Sequence, residues 1–241
     1  MAQAEGGEGT VKGVSICVLT YNVFFYNRLA VDRIRDLTRV ADYEVLFYDN
    51  GSTDGSAEWL EAQPDVTLFR GSGNGMRHGA ALDLLVREAR FPICCTLCSD
   101  AFPVSPEWLT PAMHLDGRTM LAGVMRDGSR VSKYVCPSYL FGWTEWLKRR
   151  SFLDNWPEWD TGEQLGRDCL AAGHRMKTWK QEYVDVGEGF KPKPCDYNGW
   201  VWHVWWSGRK QVVPGIEGTE FEEGYHEHSL RMLRERFKLD Y

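Results

Sequence analysis

The sequence predicts an α/β fold: a sheet whose first strands run parallel, with helices packed on both faces. Three observations predict it. Short apolar runs alternate with stretches of helical spacing through about the first hundred residues. Three of those runs close in polar clusters, Thr20-Tyr21-Asn22, Asp49-Asn50-Gly51-Ser52 and Cys98-Ser99-Asp100. The chain has 241 residues, 43% hydrophobic and 26% charged, an ordinary globular composition with enough apolar mass for one large core. In open sheets of this class ligands bind beyond the carboxyl ends of the strands, so polar clusters gathered on that edge mark a site.

The elements follow in order. Val14 to Leu19 is the first apolar run, closed by Thr20-Tyr21-Asn22. Leu29 to Val40 carries Val31, Ile34 and Leu37 or Val40 at helical spacing. Tyr43 to Tyr48 is the second run, and the turn and N-capping residues from Asp49 to Gly55 place the next helix at Ser56 to Gln63. Val66 to Phe69 reads as a third strand. Gly79 to Arg90 puts Leu82, Leu85, Val86 and Ala89 on one helical face, and Ile93 to Leu97 is a fourth strand. Beyond it, Met120 to Met125 and Lys133 to Phe141 read as strands of a mixed sheet. Trp143 to Arg150 and Glu163 to Ala172 read as helices, and Arg209 to Glu223 as loop. Ser229 to Leu239 has apolar Leu230, Leu233 and Phe237, the pattern of a terminal amphipathic helix. No repeat or linker interrupts the chain, so a short flexible leader, 1–12, precedes one domain, 13–241.

A formal net charge of -6 disfavours nucleic acid or anionic membrane as default partners. No apolar run approaches the roughly 20 residues that span a bilayer, so integral membrane association is not expected. The Gly- and Glu-rich N-terminus lacks the order of a signal peptide, and seven cysteines make an odd count. Both point to reduced thiols and a cytoplasmic protein. Cys95 and Cys98 form a C-x-x-C without a second pair, which reads as small residues packed in a strand rather than a zinc site. His203 stands among Trp200, Trp202, Trp205 and Trp206.

Taken in sequence, these motifs resemble the family-2 glycosyltransferases, the large inverting GT-A group. The first strand with Thr20-Tyr21-Asn22 resembles that family's opening strand and turn, and Tyr48 to Ser56 its acidic second-strand motif. Gly73-Asn74-Gly75, Arg77 and the helix from Gly79 resemble the segment before the metal strand. Leu97-Cys98-Ser99-Asp100, with Pro103 and Glu107-Trp108-Leu109, resembles the D-x-D strand and the helix after it. Later, only Trp159-Asp160 to Gly173 and His203 to Ser207 correspond.

The resemblance implies a GT-A (Rossmann-like) fold with a mixed central sheet flanked by helices. Residues 13–110 form its nucleotide-sugar-binding half and 111–241 its acceptor-binding half. It implies a nucleoside-diphosphate sugar donor, a UDP-sugar being the first guess, and inverting transfer to an acceptor hydroxyl. Thr20, Tyr21, Asn22, Asp49, Asn50, Ser52, Arg77 and Ser99 are then the donor contacts, with Asp49 at the base or ribose. Asn50 and Ser52 equally suit a tight turn, and Arg77 a solvated surface position. Asp100 is the expected ligand of Mn²⁺ or Mg²⁺, which offsets charge on the departing diphosphate. His203 is a second ligand or phosphate contact, favouring Mn²⁺, or else a core histidine. The neighbouring tryptophans stack on a sugar or pack the core. Cys98 stands where the family usually has Asp.

Inverting transfer also needs a general base for the acceptor's proton. Asp160 and Glu163 compete for it, and Asp160 is narrowly favoured, although the pair equally suits a helix cap with its capping-box partner. Two rivals share the fold. A nucleotidyltransferase carries a Gly-rich, basic turn after its first strand, whereas this turn is Tyr21-Asn22-Val23-Phe24-Phe25. A non-catalytic nucleotide-sugar binder accords with Cys98 and with the missing Glu-Asp pair. No motif specifies the acceptor: glycans, small molecules, proteins and modified DNA bases all remain open.

Overall fold

Strands and helices follow one another in the computed structural model, which describes residues 13–40, 42–71, 76–126, 134–153, 160–184, 194–204, 231 and 233–239. The first half contains β1 (Val14–Thr20), α1 (Phe24–Leu37), β2 (Tyr43–Asp49), α2 (Ser56–Glu61), β3 (Val66–Arg70), α3 (His78–Glu88), β4 (Ile93–Cys98) and β5 (Ala101–Pro103). A 3-10 helix (Thr110–His114) leads to β6 (Thr119–Arg126), β7 (Tyr134–Trp143), α4 (Thr144–Leu147), α5 (Glu163–Ala171) and β8 (Arg175–Lys180). Three short strands close the order: β9 (Glu182–Tyr183), β10 (Cys195–Tyr197) and β11 (Val201–His203). The expected leader 1–12, Gly73-Asn74-Gly75, Trp159, Trp205, Trp206, Ser207 and the expected loop 209–223 lie outside the described residues.

β1 to β4 are parallel in the order β3-β2-β1-β4, and the sheet continues β7-β6-β8. β7 is antiparallel to β4 and to β6, while β8 is parallel to β6, so the sheet is mixed, as the resemblance implies. Both faces are covered, and alternate residues of each inner strand therefore enter different cores. Ile16, Val18, Val45 and Phe47 pack with Val31 and Ile34 of α1 and Leu60 of α2. Cys17, Leu46 and Cys94 pack on the other side with Leu82, Leu85 and Val86 of α3 and Leu165 of α5.

A second sheet, β5-β11-β10-β9, stands beside the first. It was not expected, because strands of two or three residues are too short to show a period. β8 was missed as well: its sequence, RMKTWK, carries the charges of an edge strand. α1 starts at Phe24 rather than Leu29, with the Phe24 N–H donating to Asp54 Oδ2 at 2.9 Å. The helix expected over 143–150 shrinks to α4, whose Thr144 is tied back to Phe91 O and Pro92 O. The helix expected after Asp100 is the 3-10 turn at Thr110–His114. Residues 231 and 233–237 are helical, and Leu233 and Phe237 join Phe102 and Trp202 in a third core.

Candidate functional site

Register brings the polar clusters together. Leu19 lies opposite Tyr48 and Cys98, and Thr20 opposite Asp49, so β1, β2 and β4 end side by side on one edge. Asp49 is 2% exposed. Its Oδ2 accepts the Gly51 and Ser52 N–H at 3.0 and 2.9 Å, while Oδ1 is buried with no hydrogen-bond partner. A buried acceptor left unmet costs about 1–3 kcal/mol, so this oxygen is suited to a donor brought by a ligand.

The other expected donor contacts divide by what they already hold. Thr20 is buried; its hydroxyl donates to Asn27 Oδ1 at 2.9 Å and its carbonyl accepts the Asn50 N–H. Asn22, at φ 50, accepts the Thr53 N–H through Oδ1, and its own N–H donates to Ser52 Oγ. Asn50 pairs both ways with the Met76 backbone, at 3.1 and 2.9 Å. Asn22, Asn50 and Ser52 therefore lace the loops after β1 and β2 to each other and to the segment before α3. Tyr21 is 43% exposed at the same edge, Arg77 is exposed at the start of α3, and Ser99 lies in the turn after β4.

That turn carries Asp100 towards the second sheet. β11 runs antiparallel to β5, so His203 pairs with Ala101, and the Val204 N–H donates to Asp100 O at 3.0 Å. His203 Nε2 then stands 3.0 Å from Asp100 Oδ1, and its Nδ1 shares a 2.5 Å hydrogen bond with Tyr197 Oη. Both acid and imidazole are buried, at 8% and 2% exposure. Cys98 completes a group whose ligand atoms all lie within 4.8 Å of one another. A carboxylate, an imidazole and a thiol are a donor set that fits a divalent metal. Burial, together with the charge of Asp100, pushes the Cys98 thiol well above its ordinary range, and burial does the same to the Tyr197 phenol.

Asp160 lies at the far side of the same edge. Its Oδ2 forms an ion pair with Arg126 and accepts the Tyr134 O–H at 2.8 Å, while Oδ1 accepts the Thr161 N–H. Burial alone would lower the Arg126 guanidinium, but Tyr134, Cys136 and Asp160 hold it above its usual range, so it stays charged. Burial, with Cys136 and Asp160 nearby, keeps Tyr134 protonated as a donor. The Asp160 side chain is 27% exposed. Glu163 is 1% exposed; it accepts the Asp160 N–H at 3.3 Å and pairs with Arg167 at 3.1 Å, but α5 is capped at Gly162 with no side-chain cap bond, so the expected capping box does not form. Gly162 makes the entry to α5 possible, at φ +82 and with Pro137 2.6 Å from where a Cβ would stand.

Sequence reasoning missed Arg126, Tyr134 and Tyr197. The first two meet because Arg126 pairs with Tyr134 across β6 and β7, a register that no spacing discloses. Trp202 is fully buried against Phe237, and Trp200 packs edge-on to Trp179, so these two tryptophans serve the core. Among the described residues no helix is long and apolar enough to cross a membrane.

The sequence model of Glycosyl transferase family 2 matches residues 15–179. No curated protein matches the chain in sequence. The fold is shared with the mannosyltransferase PcManGT from Pyrobaculum calidifontis, in complex with GDP-Man and Mn²⁺, at 21% identity and TM-score 0.58, over 69% of this chain and 54% of that one. It is shared with S. aureus TarS 1-349 in complex with UDP-GlcNAc, at 14% identity and TM-score 0.51, over 71% and 59%. A nucleotidyl transferase from Methanothermobacter thermautotroptrophicus is also similar, at 18% identity and TM-score 0.52, over 69% and 86%. The matched region thus spans little more than half of the length of PcManGT and TarS 1-349.

Proposed function

The chain belongs to glycosyl transferase family 2, and from that membership and the site above we propose that it transfers a sugar from a nucleoside-diphosphate sugar to an acceptor hydroxyl, with inversion and with a divalent metal. The observation that carries this reading is the convergence on one sheet edge of Asp49, with its unpartnered Oδ1, and the Asp100–His203 pair. Both solved glycosyltransferase complexes hold a nucleoside-diphosphate sugar, GDP-Man in one and UDP-GlcNAc in the other. A UDP-sugar is the first donor to test. The turn after β1, Tyr21 to Phe25, lacks the Gly-rich basic signature of a nucleotidyltransferase.

Each residue has a part that follows from its position. Asp49 accepts a hydrogen bond from the base or ribose. Arg77 meets the phosphates with its planar fork of donors. Asp100 and His203 hold Mn²⁺ or Mg²⁺. Bound there, the ion supplies Lewis-acid stabilisation of the leaving diphosphate. Asp160 takes the proton of the acceptor hydroxyl, with Arg126 and Tyr134 fixing its carboxylate in place. Glu163 is withdrawn from that role by its burial and its pairing with Arg167.

Calorimetry with UDP, GDP and TDP, with and without Mn²⁺, tests the reading. Binding of at least one nucleotide, tighter with the ion, is expected. Failure of all three to bind with the ion present overturns it. Nucleotide binding with no release of nucleotide from any donor, in the presence of Mn²⁺, identifies a binding protein instead.

A further inference from the structure

We infer that Cys98 is itself a metal ligand, so that Cys98, Asp100 and His203 form a sulfur–oxygen–nitrogen site selecting borderline ions, Zn²⁺ and Co²⁺ above Mn²⁺ and all three above Mg²⁺. The inference rests on the reading of Asp100 and His203 as metal ligands and adds the thiol, which changes the class of ion.

The geometry supports three ligands rather than two. Donor atoms sharing one ion, each at about 2.1 Å, stand about 3.0 Å apart at a right angle and about 3.4 Å apart in a tetrahedron. Asp100 Oδ1 and His203 Nε2 are already 3.0 Å apart. The thiol lies within 4.8 Å of both. The backbones are fixed: β11 is hydrogen-bonded to β5, and Val204 N–H to Asp100 O. The Tyr197 bond to Nδ1 orients the imidazole, the outer-shell support that metal-binding histidines commonly have. With no ion bound, a carboxylate can only accept, so the Nε2–H bridges to Asp100. With an ion bound, the ring proton shifts to Nδ1 and donates to Tyr197 Oη.

The thiol's surroundings suit both states. Cys98 Sγ is 3.2 Å from Ser138 Oγ, which also lies 3.3 Å from Cys136 Sγ. A hydroxyl rotates: it accepts the S–H of the free protein and donates to the thiolate of the bound one. Binding converts Cys98–SH and M²⁺ into Cys98–S–M⁺ and one proton released to solvent. Soft sulfur adds most to the affinity of Zn²⁺ and Co²⁺ and least to that of hard Mg²⁺, which prefers oxygen.

The test is an anaerobic titration of the full metal-free chain with Co²⁺, with and without UDP, read by absorption. A near-ultraviolet thiolate-to-cobalt charge-transfer band is expected, with about one proton released per ion, and Zn²⁺ should bleach the band. Cys98→Ser and Cys98→Ala should lose the band and weaken Zn²⁺ binding by at least ~10-fold, the loss already typical of disturbing an outer-shell partner. Cys98→Asp should lose the band yet still bind, its preference for Zn²⁺ over Mg²⁺ falling by a similar factor of ~10. Cys136→Ala should keep the band, and far-ultraviolet dichroism checks that each variant folds. Co²⁺ binding without the band, or a band that survives in Cys98→Ala, overturns the thiol ligand and leaves Asp100 and His203 standing. No Co²⁺ binding in either condition overturns the metal site as a whole, and this inference with it.

Discussion

Asp160→Asn and Glu163→Gln should fail in different ways, although the two residues lie only three positions apart at the entry to α5. Asp160 is partly exposed, at 27%, and its carboxylate faces two side-chain donors, Arg126 and Tyr134. Asparagine keeps the shape and one acceptor but takes no proton. Loss of a general base typically costs ~10²-fold or more in rate. That factor corresponds to about 2.7 kcal/mol of barrier. The ion pair with Arg126 is more than a quarter exposed on both sides, so its loss should lower stability by only ~1 kcal/mol. Glu163 is 1% exposed and holds both the Arg167 guanidinium and the Asp160 N–H. Glutamine there removes the carboxylate charge that faces Arg167, itself about one-third exposed, a loss discounted by solvent to ~2 kcal/mol. For a chain of this size that lowers Tm by roughly 4–8 °C. Donor turnover by mass spectrometry and melting by calorimetry separate the two effects. Asp160→Asn should lose kcat, keep nucleotide affinity and melt nearly as the parent does. Glu163→Gln should melt early and, below its transition, turn over normally. A large kcat loss in Glu163→Gln with unchanged Tm would reverse the assignment. Activity within about threefold of the parent in Asp160→Asn would place the base elsewhere.

Further expectations follow from the same geometry. Asp100→Asn should abolish metal-dependent turnover while far-ultraviolet dichroism is preserved; full activity would mean that the metal binds elsewhere or is not used. Gly162→Ala meets both a positive φ and the Pro137 ring, so it should cost ~1–3 kcal/mol in denaturant unfolding, and an unchanged midpoint would contradict the strained entry to α5. Asp65 sits below its usual range, chiefly because Arg35 donates to it, and Asp116 because the Arg118 and Thr119 N–H groups do. Their folded values lie under the unfolded value near 3.9, so their contribution is complete above about pH 4 and disappears as pH falls through the folded values. Unfolding midpoints measured from pH 6 to 2.5 should drop below about pH 4, and Asp65→Asn should flatten that drop. Parallel curves for parent and variant would refute the Arg35 pairing as the cause.

The first half of the fold was legible because its inner strands, β1, β2 and β4, are buried on both faces and end in punctuation. Val14 to Leu19 and Tyr43 to Tyr48 are apolar runs interrupted only by Ser15 and Glu44, and the parallel order follows from the helices between them. Asp49 and Asp100 were legible for a related reason: a carboxylate closing such a run stands at the carboxyl edge. What stayed hidden depends on register and on distant contact. Nothing near Tyr197 announces that its hydroxyl meets His203, and Arg126 reads as a surface charge until β7 is set beside β6. The proposed choice of Asp160 over Glu163 rests on burial, which their spacing in the sequence does not encode.

The Asp100–His203 contact spans 103 residues. Parallel βαβ units are made of near neighbours in the chain, whereas β11 must return across the whole second half to reach β5. The edge that carries Asp49 can therefore form early, while the Asp100–His203 pair is assembled only when the last strands dock. A ribosome-bound or truncated chain stopping before residue 201 would carry the edge with Asp49 but lack His203. On the proposed reading of Asp100 and His203 as ligands, metal would be acquired late in biosynthesis, and a bound ion would report that the last strands had docked.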